Sequence, residues 1–103
     1  MPETPLSIPP IALAEQIPQV FPHQKFHLGE WVRWFQVPNG DFGRVIGVMY
    51  THQASCDATG LHDLVLLDER SPSHEICTCD FAFEEDIELI DQSSLERLRG
   101  NHA

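Results

Sequence analysis

Basic side chains are scarce: 103 residues carry six Lys and Arg against 16 Asp and Glu, a net charge of -10. A phosphate backbone is held by several cations that displace its counterions. Lys25, Arg33, Arg44, Arg70, Arg97 and Arg99 are instead scattered along the chain, which argues against nucleic acid as a partner. Long apolar runs are missing too. No stretch approaches the roughly 18 residues that span a bilayer, and Met1-Pro2-Glu3-Thr4-Pro5 lacks the positive start and apolar run of a secretory signal. The expectation is a soluble, cytoplasmic protein without membrane contact. Cysteine is limited to Cys56, Cys77 and Cys79, which cannot all pair within one chain and stay as thiols in a reducing compartment. With a hydrophobic content of 42% in 103 residues, the chain has material for one core and not two.

What is present is unevenly spread. Residues 1–51 hold four acids and three bases, whereas residues 52–91 hold eleven acids against Arg70 alone. These acids either keep a small protein soluble or form a docking face for a basic partner. Six of the eight prolines fall in residues 1–25. Proline removes ladder donors and fixes φ, so this stretch reads as an extended Pro-rich arm with at most one or two helical turns at Ile11–Ile17. Ile8, Ile11, Leu13, Ile17, Val20 and Phe21 are too apolar for an idle tail, so the arm should pack on its own domain or on another chain.

From Phe26 the pattern becomes short β-rich runs separated by turn residues, the mark of a small antiparallel barrel. Five strands are expected: Glu30–Val37, Phe42–His52, Leu61–Glu69, His74–Asp80 and Ile87–Asp91. In the first, alternation sets Val32 and Trp34 on one face and Trp31, Arg33 and Phe35 on the other. Gly43 and Gly47 permit a bend or bulge in the second. Leu64-Val65-Leu66-Leu67 suggests a central strand covered on both sides. Phe81–Asp86 reads as an irregular or single-turn segment, and Ser93-Ser94-Leu95-Glu96 has capping-box spacing for a short helix ended by Gly100. The division is a Pro-rich arm at 1–25, a barrel at 26–91 and a short helical tail at 92–103.

The combination Phe26-x-x-Gly29-x-x-Val32-x-Trp34, Asp41-x-Gly43-x-Val45-x-Gly47, Val65-x-Leu67-Asp68 and Glu85-Asp86-x-Glu88-Leu89-Ile90 resembles small SH3-like barrels of the KOW and Tudor kind. It is similar in particular to short uncharacterised barrel proteins of cyanobacteria. The resemblance implies an all-β fold, a five-stranded SH3-like barrel, and no single function, because such barrels serve many unrelated binding modules. KOW-type relatives commonly bind RNA or ribosomal and transcription components, a role for which this acidic chain lacks the basic surface. In Tudor-like barrels an aromatic cage grips a cation.

Chemistry finds little support. Cys77-x-Cys79 with His52, Cys56, His62 and His74 could be drawn as a zinc site, but Cys-x-Cys on a straight strand does not close the tight knuckle of a structural zinc centre. Cys56 beside His52 or His62 could be drawn as a nucleophile and base, yet no glycine elbow or helix start supplies an oxyanion site. The chain is therefore read as neither an enzyme nor the holder of a metal or cofactor. A surface of Trp31, Phe35, Phe42 and Tyr50 beside the carboxylates Glu84, Glu85 and Asp86 offers instead a grip for Lys, Arg or a methylated cation. The expected function is a non-catalytic protein-interaction module, an adaptor or accessory subunit that docks a basic or Pro-containing segment of a protein partner. Alternatives are a nucleic-acid-associated KOW-like module using Lys25, Arg33 and Arg44, an acidic mimic of nucleic acid, and a metal-stabilised structural protein.

Overall fold

Val32, Val45, Val65 and Ile87 are apolar, β-prone residues on four different segments, and each is removed from solvent. Burying them together requires four extended segments to share one face. In the computed structural model, which describes residues 7–9, 12–13, 23–36, 40–53 and 58–100, they do so in a single antiparallel sheet. Its strands are β1 (Ala12–Leu13), β2 (Trp31–Trp34), β3 (Phe42–Gln53), β4 (Ala58–Leu67), β5 (Cys79–Phe83) and β6 (Ile87–Leu89), followed by helix α1 (Gln92–Arg99). A 3-10 turn, Glu84–Asp86, joins β5 to β6.

The sheet order is β5-β4-β3-β2-β6, with β1 attached to β3. The middle strand is thus β3, and not the Leu64–Leu67 run: β4 lies one place toward the edge, between β3 and β5. Strand β3 pairs with β4 from Gly43↔Leu67 to Gln53↔Ala58. Its first residues also pair with β2, as in Arg33↔Phe42 and Trp31↔Arg44. The register shifts between Val45 and Gly47, leaving Ile46 as a bulge that bends the strand. Beyond the reach of β2, β3 pairs at Thr51 and His52 with Leu13 and Ala12. This pairing makes the two arm residues extended rather than helical. Of the arm's other apolar residues, Ile8 is exposed, while Ile11, Ile17, Val20 and Phe21 lie outside the described residues, as does Cys56.

Phe26, Val32, Val45, Val65, Leu67, Ala82 and Ile87 form the core, with Trp34, Val48 and Cys77 packed against it. Gly43 is set by this packing. A Cβ there would overlap the carbonyl oxygen of Leu66, so β3 and β4 approach this closely only over glycine.

The sheet is all-β in class but does not close into a barrel: β5 and β6, the two ends of the order, are not paired with each other. The strand expected at His74–Asp80 also begins later, at Cys79. The Asp41 carboxylate explains the shift by accepting from Ser71 Oγ at 2.5 Å and from the Ser73 amide at 2.8 Å. Folded back by that anchor, residues 71–77 satisfy their amides locally, as in Cys77 N to Ser73 O at 3.0 Å. Residues 81–83, read from sequence as irregular, belong to β5. At α1 the cap is Asp91, whose side chain accepts from Ser94 N at 2.7 Å, rather than Ser93. The Ser94 amide is the first reason that the Asp91 carboxyl sits below its ordinary range. Gly100 ends the helix in the left-handed region at φ 66°, as its position in the sequence suggested.

Candidate functional site

Strand β2 runs off the sheet where Trp34 faces Ile87. One residue on, the Phe35 amide donates to the Asp86 carbonyl at 3.4 Å, so the aromatic residue that follows β2 stands beside the acidic 3-10 turn. Phe35 is 48% exposed. No residue of the turn is buried. Extended backbone at Phe83 and Ile87 confines the turn to Glu84, Glu85 and Asp86, where no apolar residue draws it inward. Glu84 is tied from the other side, its Oε2 accepting from the Lys25 amide at 2.6 Å. An exposed aromatic ring and three carboxylates thus share one end of the sheet.

The other expected aromatics do not join them. Trp31 is engaged by its own chain, with the Arg44 guanidinium 5.7 Å and the Arg99 guanidinium 5.0 Å from its ring centroid. Arg99 also meets the buried Asp68 carboxylate, Nε to Oδ2 at 3.0 Å, so α1 is fastened over Trp31. Phe42 is buried and its amide donates to Ser71 Oγ. Tyr50 is half-buried on β3, opposite Leu61. The four-aromatic cage is not assembled; what remains is the exposed Phe35, bonded through its amide to the Asp86 carbonyl of the turn that also carries Glu84 and Glu85. Nor do the cations form a strip: Arg33 meets Glu88 at 3.5 Å and the Lys25 ammonium lies 5.3 Å from the Phe26 ring centroid.

No protein family, curated protein or solved structure matches this chain.

Among the described residues no three or more His, Cys, Asp or Glu side chains are grouped to hold a metal. Cys77 lies in the turn before β5 and Cys79 is its first residue, fully buried. Burial raises both thiols above their ordinary pKa, which keeps them protonated and poorly nucleophilic. His52 Nδ1 is 2.8 Å from Thr59 Oγ1. His62 is buried between Phe83 and Phe81, with ring centroids at 4.0 and 6.5 Å, and its Nδ1 lies 3.0 Å from the Gly60 carbonyl.

One residue escaped the sequence reading. Asp63 is 0% exposed, and neither of its carboxylate oxygens has a hydrogen-bond partner among the described residues. It shares the inward parity of Val65 and Leu67 on β4. Burial, with a lesser push from the Glu84 charge, raises its pKa to about 7, as an acid with no donor in an apolar setting requires. The signal was in the sequence: strand parity alone places Asp63 in the core. Its charge masks that signal, because an acid in a chain this acidic reads as surface.

Proposed function

We propose that this chain is a non-catalytic interaction module, built on an SH3-like arrangement of strands, that docks a basic, Pro-containing segment of a protein partner against Phe35, Glu84, Glu85 and Asp86. The observation that carries the proposal is the exposed Phe35 ring beside a turn of three consecutive acids. A proline ring or the stem of a Lys or Arg covers the aromatic face, while the cation meets the carboxylates. A strand order in which β6 lies beside β2, reached through a 3-10 turn, is consistent with an SH3-like topology left open at its edges.

Such sites draw most of their affinity from one aromatic anchor, with rim charges setting on-rate and salt dependence. Titrating the protein with a labelled Lys/Arg/Pro peptide tests this by fluorescence anisotropy. Phe35→Ala is expected to weaken binding about 30-fold, the equivalent of ~2 kcal/mol. Glu85→Lys is expected to slow association and flatten its salt dependence. Because both side chains are exposed, neither change should unfold the protein. Equal affinity in wild type and Phe35→Ala would remove the basis of the assignment.

A further inference from the structure

Asp63 is a buried acid that the docking site does not use. Its strand β4 places it opposite Val48 of β3 and Ala82 of β5. On β3 the ionisable residues of the same parity are Tyr50 and, farther along, His52, whose ring meets Thr59. On the other side, Asp80 precedes Ala82 by two residues and Glu84 follows it by two, so the acid is flanked by two further acids. Lys25, which meets Glu84 through its backbone amide, has its ammonium over the Phe26 ring. His62 lies on the opposite face of β4, against Phe83. No described residue donates a hydrogen bond to Asp63, so its carboxylate form has neither water nor a donor while the sheet is closed.

A charge in that position must find water, and the strands around it resist unequally. Strand β3 has 12 residues and neighbours on both edges. Strand β5 has five residues and, among the described residues, pairs only with β4. Separating β5 therefore breaks one short ladder, whereas exposing Asp63 through β3 breaks the middle of the sheet. Repulsion from Glu84, which travels with the turn after β5, favours the same separation.

We propose that Asp63 is a proton-operated latch on the sheet edge: with its carboxyl neutral, β5 and the 3-10 turn stay closed over β4, and when the proton passes to solvent they separate so that water reaches the carboxylate. The turn that moves carries Glu84, Glu85 and Asp86, so the latch sets the presentation of those acids. It stands independently of any partner bound there.

Hydrogen exchange on the full chain between pH 5 and 7, expressed as protection factors, tests the latch. In the wild type the β5 amides that bond to β4 are expected to lose protection about tenfold per pH unit, because the closed edge holds one proton that the open edge releases. The amides where β2 pairs with β3 exchange only when the whole fold opens, so they should stay better protected than those of β5 at every pH. In Asp63→Asn the β5 amides should be independent of pH, and Asp63→Val, which continues the apolar pattern of Val65 and Leu67, serves equally if the amide variant does not fold. Constant β5 protection in the wild type would overturn the proposal. So would an equal fall in the variants, or β5 protection equal to that of β2 and β3 at every pH, which would mean that β5 opens only with the whole fold.

Discussion

Replacing Asp63 with asparagine should change how stability depends on pH, and the structure fixes the sign. In the folded chain Asp63 holds its proton up to about pH 7, whereas an aspartate in the unfolded chain loses it near about 3.9. Between those values the unfolded state binds fewer protons, so stability falls as pH rises. The slope is about 1.4 kcal/mol per pH unit, or ~4 kcal/mol over the window, a large part of the roughly 5–15 kcal/mol that holds a small domain together. Above pH 7 the loss is complete and the dependence levels off. Asp63→Asn removes the titration but leaves an amide without partners, which costs ~1–3 kcal/mol at every pH. The variant should therefore be the less stable protein at pH 4 and the more stable one at pH 8, with a crossing between. Urea denaturation of both proteins at half-unit steps from pH 4 to 8 provides the measurement. Taking the difference between the two curves cancels other groups, including Asp80, whose pKa burial also raises. Parallel curves would refute the assignment, because they would mean that Asp63 is already hydrated or paired in the folded state.

Arg99→Ala should free Trp31, shifting its fluorescence, and leave the buried Asp68 carboxylate without its guanidinium, at about 1–2 kcal/mol in thermal unfolding. Arg99→Lys keeps the charge without the planar stacking and should fall between; an unchanged emission spectrum in Arg99→Ala would count against the contact. Gly43→Ala drives a methyl group into the Leu66 carbonyl and should destabilise by about 2–3 kcal/mol in urea melts, whereas Gly60→Ala, where a Cβ meets nothing within 4 Å, should be nearly neutral.

Strand spacing made the core legible. Val32, Val45, Val65 and Ile87 repeat at the parity of a half-buried sheet, and turn residues mark the strand ends closely enough to locate β2, β3, β4 and β6. Gly100 announced the end of α1 for a local reason, since few other residues adopt its left-handed conformation without strain. Long-range contacts were not legible. The turn at residues 71–77 is set by Asp41, some 30 residues earlier in the chain, and no local propensity reports that anchor. The position of β4 as second from the edge is likewise a fact of topology: a run such as Leu64–Leu67 reads the same in the middle strand or beside it. For the candidate site, sequence named Phe35 and the three acids but grouped them with Trp31 and Phe42. Alternation puts Trp31 and Phe35 on one face without revealing that Arg99 of the terminal helix would cover the first of them. Asp63 was legible by parity and was hidden by its charge.

Backbone amide shift perturbations on adding an unlabelled Lys/Arg/Pro peptide report on the docking surface at Phe35 and the acidic turn residue by residue. Saturable shifts are expected, confined to Phe35, Glu84, Glu85, Asp86 and their immediate neighbours and lost in Phe35→Ala. Shifts centred on another face, or none at millimolar peptide, would contradict it.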